Sequence, residues 1–316
     1  MALAIGAFNL YLGELVFRRS VIMVKSFLKL IFSPINKYFS SEIDKYCVQI
    51  SRQNNPSNIF LGDIKQINLK NLPKIDLLIG GSPCQDISHA FKGRGIKGKR
   101  SSLFFDFVSI KNKIKPKYFL LENVKTKWKK FMDDEIGEEG IEVNSKFFSP
   151  QNRPRCYWTN IPIIENFSTN KKQIKNIIEK KIDGVFYFNK KISNYSNDKK
   201  FSEKKNFYEI QKILTIPKSL LKDNERQRRV YSIYGKSPTL LARSDTPKIL
   251  FKGKVRKLTP LECERLQGIK DNYTIGCSKT QRYKMIGNSF TIPVISYILQ
   301  GMKKNQKKTK QLDLFK

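Results

Sequence analysis

Histidine is nearly missing from this chain of 316 residues, with His89 its single representative. Cysteine is scarce too, limited to Cys47, Cys84, Cys156, Cys263 and Cys277. The cysteines are odd in number, far apart and never arranged as Cys-x-x-Cys. That argues against a disulfide framework or a zinc site and for a reducing cytoplasm. Acidic residues are few, 27 against 61 lysines and arginines, so the formal net charge is +34. Such a surplus favours a polyanionic partner, although abundant Lys, Asn and Ile together are also what an AT-rich genome produces. A long hydrophobic run is lacking as well. "MALAIGAFNLYLGELVF" has no basic start and is broken by Asn9 and Glu14, and "SVIMVKSFLKLIF" carries Lys25 and Lys29. Neither reads as a signal peptide or a membrane span, and both are expected to be soluble helix or strand.

What is present is core material: 40% hydrophobic residues, with 22 Phe and 13 Tyr, mark a globular chain. From residue 35 the pattern becomes regular. "INKYFSSEI", "NIFLGDI", "KIDLLIGG", "KYFLLENV", "IEVNSKFFS" and "CYWTNIP" read as strands, and "DKYCVQISRQ" and "SSLFFDFVSIKNKI" as helices. Strands alternating with helices predict an α/β fold with a doubly wound, mostly parallel sheet, whose ligands bind beyond the carboxyl ends of strands. The composition shifts near residue 166 towards Lys, Asn, Ser and aromatics with weak periodicity. Residues 1–165 and 275–316 are therefore expected to form the large domain and 166–274 a smaller one. No internal repeat is visible.

Three short stretches follow or link predicted strands: Pro83-Cys84-Gln85, Glu122-Asn123-Val124, and Gln151-Asn152-Arg153-Pro154-Arg155. Their order and spacing, together with "LTPLECERLQG" and "GNS", resemble the C5-cytosine-specific DNA methyltransferases of bacteria and phages. The resemblance covers residues 35–165 and 235–300. It implies the S-adenosylmethionine-dependent methyltransferase fold, S-adenosyl-L-methionine as cofactor, double-stranded DNA as partner, and residues 166–274 as a target-recognition domain. A cognate restriction endonuclease and a monomeric state are further expectations.

The chemistry of that family explains the residue types. C5 of cytosine is a poor nucleophile, and adding a thiolate to C6 turns the ring into an enamine whose C5 can attack a methyl sulfonium. Cys84 suits the thiolate, presented on a turn stiffened by Pro83. Glu122 suits the carboxyl group facing N3. Arg153 and Arg155 offer planar donors for O2 and for positioning the nucleophile loop, with Arg155 matching the O2 contact. Gln85, Asn123 and Gln151 stand beside them as substrate-binding residues. The target base must leave the duplex, and the glycine-rich basic stretch "HAFKGRGIKGKRSS" suits a loop closing over phosphates. Glu42, Asp63 and Asn288 match the cofactor-binding positions. Taken singly, each stretch has a plainer reading: a buried cysteine, a strand-end turn, a solvated hairpin, a helix cap. His89 and the other four cysteines are expected to be structural, the cysteines as core.

One family element is absent. Residues 1–34 contain no Phe-x-Gly-x-Gly turn, which lets the backbone approach the cofactor closely. A frameshift or alternative start is the expected cause, with "MALAIGAFNLYL" or "FLKLIF" substituting for the first strand. An inactive DNA-binding homologue, a tRNA methylase of the same fold and a pyrimidine-nucleotide methylase are the rival readings.

Overall fold

The computed structural model describes the backbone of residues 13–17, 37–81, 102–164, 169–189 and 207–313, and the side chains of these except 13–17, 102 and 304–313. They divide into two compact units. The first comprises residues 1–142, 155–165 and 296–316, and the second comprises 143–154 and 166–295.

In chain order the first unit opens with strand β1 (Gly13–Phe17), strand β2 (Lys37–Ser41), helix α1 (Lys45–Asn54) and strand β3 (Ile59–Gly62). Strand β4 (Leu77–Gly81), helix α2 (Ser102–Ile114), strand β5 (Tyr118–Val124) and helix α3 (Lys129–Ile136) follow. Strands β6 (Ile141–Asn144) and β7 (Pro154–Thr159) complete a seven-stranded sheet of order β3-β2-β1-β4-β5-β7-β6. The pairings from β3 through β5 are parallel and β5 with β7 is antiparallel, so the sheet is mixed. Leu77, Leu78 and Ile79 of β4 are completely buried, as a central parallel strand covered on both faces requires. Phe104 and Phe107 of α2 join Leu78, Phe119, Leu121 and Trp158 in one core.

The strand between β2 and β4 is "GELVF", the end of the first apolar run. The stretches "MALAIGAFNLYL" and "FLKLIF", expected as substitutes for the first strand, are not among the described residues. Residues 1–12 and 18–36 lie outside the described residues. The run "IEVNSKFFS" differs from its expectation as one strand. Pairing stops at Asn144, whose side chain accepts the Lys146 N–H (3.0 Å) and caps a 3₁₀ turn over Ser145–Phe147.

The second unit holds a four-stranded sheet of order β11-β10-β9-β8. Its parts are β8 (Lys212–Thr215), the short helix α4 (Glu225–Arg228), β9 (Arg229–Ser232), β10 (Lys248–Phe251) and β11 (Lys254–Lys257). Helices α5 (Pro260–Gln267) and α6 (Lys279–Asn288) follow, and then α7 (Ile292–Asp313), of which residues 296–313 belong to the first unit. Thr259 and Glu262 form a reciprocal capping box at the start of α5, with Pro260 in its first turn, which is why "LTPLE" begins a helix. Residues 143–154 and 275–295 fall in this unit, whereas the sequence placed them with the large domain. Arg153 donates to Leu240 and Gly287, and Gln151 to Gln267, bonds that sequence spacing does not reveal. Among the described residues no helix is long and apolar enough to cross a membrane, and no cluster of metal-binding side chains occurs.

Candidate active site

The best-ordered chemistry of the first unit lies at the carboxyl ends of β4 and β5. Glu122 stands level with Gly81, the last residue of β4, and opposite Tyr157 of β7. Arg155 is opposite Val124, two residues along from Glu122. Side chains two apart on a strand share a face, so the antiparallel register brings Glu122 and Arg155 together diagonally. Arg155 Nε donates to Glu122 Oε1 at 2.9 Å, with the two side chains 13% and 14% exposed. The pair is shielded from bulk solvent but not sealed from it.

The residues between them face the opposite way. Asn123 is opposite Cys156, and both are buried. The Asn123 carbonyl oxygen accepts the N–H of Val124 (2.7 Å), tying it to its own strand. Burial, with Glu142 nearby, pushes the Cys156 thiol up to about 11, which makes it an inert core thiol. Cys47 and Cys263 are buried as expected, but Cys277 is only half-buried and is not core.

Gly80 explains the "IGG" that precedes the Pro-Cys-Gln stretch. A Cβ there would come within 2.5 Å of the Phe107 ring, so only glycine lets β4 run this close to α2. Pro83, Cys84, Gln85, His89 and the glycine-rich stretch after them lie outside the described residues.

Glu42 follows directly on β2 and is buried, with Oε1 accepting the N–H groups of Ile43 and Asp44, each at 2.8 Å. Asp63 follows directly on β3, is half-buried, and caps the next turn by accepting from Lys65 N (3.1 Å). Two carboxylates thus stand past the ends of neighbouring parallel strands, where a sheet of this kind holds a nucleoside. This donor set fits the ribose and adenine of S-adenosyl-L-methionine.

Three predicted residues belong to the second unit. Gln151 and Arg153 are buried, and their side chains are committed within the protein. Arg153 Nη1 donates to the Leu240 carbonyl (3.0 Å), and Nη2 to those of Gly287 (3.0 Å) and Ser289 (3.2 Å). All three of these bonds run to main-chain carbonyls of the second unit, so the Arg153 guanidinium ties its own stretch to two others. Gln151 donates from its amide to Gln267 Oε1 (3.0 Å) and accepts from Leu240 N (2.8 Å). Asn288 is the half-buried last residue of α6. The neighbouring Gly287 is required by close approach, since a Cβ would lie 2.1 Å from the Leu241 carbonyl oxygen. Gln267 and Leu240 were not singled out from the sequence. Gln267 sat unremarked inside "LTPLECERLQG", and a backbone acceptor such as Leu240 carries no sequence signal.

Comparison with known proteins gives the chain a family. The model of the C-5 cytosine-specific DNA methylases matches residues 24–304, beginning upstream of Ile35, and the chain belongs to that family. It is 32% identical over 303 residues to the type II methyltransferase M1.ScrFI of Lactococcus lactis subsp. cremoris, covering 88% of this chain and 74% of that protein. The type II methyltransferase M.HhaI of Haemophilus parahaemolyticus is 31% identical over 288 residues, covering 82% and 85%. The S. pombe Dnmt2 methyltransferase structure shares the fold, with a TM-score of 0.63 at 14% identity over 90% of this chain and 96% of that one. The protein is accordingly an S-adenosyl-L-methionine-dependent DNA (cytosine-5-)-methyltransferase.

Proposed function

We propose that Cys84, Glu122 and Arg155 carry the methyl transfer, with Pro83, Gln85 and Asn123 shaping the site around a flipped-out cytosine. The observation that carries this reading is the Glu122–Arg155 pair, held level with Gly81, from which β4 leads into Cys84. Cys84, as thiolate, adds through Sγ to C6, and the displaced electron pair enters the ring. Glu122 faces N3, where charge develops, while Arg155 offers guanidinium donors to O2. Glu42, Asp63 and Asn288 would hold S-adenosyl-L-methionine, which when bound would supply an electrophilic methyl group to C5, its sulfonium–methyl bond breaking to release the neutral thioether. Loss of the C5 proton to a base then expels Sγ from C6 and restores both the thiolate and the aromatic ring. Arg153 and Gln151 act as positioning residues.

The finer architecture follows the same reading. The large sheet is wound on both faces in the manner of nucleoside-binding α/β folds, and residues 166–274 read the target sequence. The enzyme works on double-stranded DNA as a monomer and pairs with a cognate endonuclease. Tritiated methyl transfer to unmethylated duplex tests the chemistry. Cys84→Ser should abolish transfer while DNA affinity stays nearly unchanged, because phosphate contacts dominate binding. With 5-fluorocytosine DNA the parent chain should give an adduct that survives denaturation. A fully active serine variant would refute the role of Cys84. In the same assay, exchanging residues 166–230 for those of a homologue should move the methylated site, and an unmoved site would place recognition elsewhere.

A further inference from the structure

Three stretches far apart in sequence meet in the core of the second unit: 149–153, 237–241 and 286–291. Backbone and hydroxyl bonds stitch the first two together. Asn152 N donates to Ser237 O, Ser237 N to Pro150 O, and Thr239 Oγ1 to Asn152 O, each at 2.8 Å. The third joins through side chains. Gln267, the last residue of α5, has no solvent exposure and uses both ends of its amide. Its Oε1 accepts from Gln151 Nε2 (3.0 Å) and from the Thr291 hydroxyl (2.8 Å), and its Nε2 donates to the Ile286 carbonyl (3.0 Å). Gln151 passes the link onward by accepting Leu240 N, and Arg153 closes it on Leu240, Gly287 and Ser289.

Filling a core does not require such an arrangement. Burying amides costs desolvation that an apolar side chain of the same shape avoids. What a fully bonded amide gives is orientation, since its donor and acceptor ends cannot be exchanged without breaking the set. The beneficiary is the backbone of 151–153. One residue further on, Pro154 has its φ fixed by its ring, and Arg155 follows it in β7.

We infer that Gln267 is a positioning residue for methyl transfer: its bond to Gln151 fixes the 151–153 backbone and, through Pro154, the guanidinium of Arg155 against Glu122. This rests on the reading of Arg155 as the contact to cytosine O2. Gln267 itself touches no substrate. Its replacement should lower the rate of the chemical step and leave affinity for DNA almost intact, because a small misplacement of a catalytic group costs far more in rate than in binding.

The test compares the full chain with Gln267→Met and Gln267→Glu. The measurements are thermal melting, duplex affinity, the single-turnover rate constant for methyl transfer, and the Nε–H resonance of Arg155, assigned by its loss in Arg155→Lys. Gln267→Met should fold, bind duplex as the parent does, transfer methyl about 10²-fold more slowly, and shift the Arg155 resonance. In Gln267→Glu the carboxylate has no donor for the Ile286 carbonyl, whereas the protonated acid has one. Its rate constant should therefore climb towards the parent's as pH falls through the range where a buried glutamate takes up its proton. A folded Gln267→Met with parental rate and an unmoved Arg155 resonance overturns the inference. If that variant does not fold, Gln267→Glu decides, and a rate that follows the parent's pH profile overturns it. A parent chain that transfers no methyl, combined with an Arg155 resonance that moves on substitution, upholds the positioning and sinks the reading of the site.

Discussion

Arg153 and Arg155 stand two residues apart, yet the two regions they enter treat their charge in opposite ways. Arg155, at the end of the seven-stranded sheet, meets one carboxylate and stays partly open to solvent. Arg153, in the seam of the second unit, is buried and bonded to backbone carbonyls from two other stretches. A guanidinium on backbone carbonyls fixes chain geometry. One paired with a half-open carboxylate at a strand end is better placed to reach a ligand. From residue type the two are equivalent, and burial alone separates them.

The largest expected effect sharpens that contrast. Glu122→Gln keeps an acceptor for Arg155 but removes the carboxyl group proposed to face N3. Its methyl-transfer rate should fall by about 10²–10⁴-fold. Its unfolding free energy should change by only about 1 kcal/mol, the scale of one altered hydrogen bond. A variant with near-parental kcat would show that the carboxylate is structural and erase the difference between the two regions.

Arg153→Met probes the other side. Three buried carbonyls lose a charged donor, and removing one member of a buried charged network typically costs about 3–5 kcal/mol. Urea unfolding should therefore show a lower midpoint of that order, with any rate loss following from the loosened backbone. A change below about 1 kcal/mol would mean that neighbouring donors or water replace the guanidinium.

These contrasts mark what the sequence could and could not disclose. The strands and helices of the first unit follow from apolar periodicity, whereas Glu122, Glu42 and Asp63 stand out only through their match to family positions, because an acid at a strand end has an ordinary structural use, as the Asp63 cap shows. The partners of Arg153 were not legible, since every chain position has a carbonyl and nothing marks which are orphaned. The same holds for Lys236, completely buried and donating to the carbonyls of Ser149, Asn170 and Lys172. A buried lysine inside "GKSPTLLA" looks like a surface residue until the chain closes over it. The compact units also differ from the expected domain limits at residues 143–154 and 275–295, since compactness depends on contacts distant in sequence. Near the start several apolar runs compete, and it is pairing with β2 and β4 that marks "GELVF" as a strand of the sheet.

The smallest effect concerns the thiols. Cys156 sits beside the proposed site in sequence, opposite Asn123 and buried, with its thiol pushed up to about 11. In the unfolded chain the same thiol ionises near its ordinary value of about 8.5. Between those two values the unfolded state holds fewer protons than the folded one, so stability falls as pH rises. This contribution is fully present below the unfolded value and is lost progressively, at up to about 1.4 kcal/mol per pH unit, until the folded thiol also ionises. Cys156→Ala should lose about 1 kcal/mol at neutral pH from the small cavity. It should nevertheless show a shallower alkaline decline than the parent, by one proton's worth of slope. Urea midpoints measured across that range decide the matter, and parallel declines would show that Cys156 ionises in the folded state as readily as outside it.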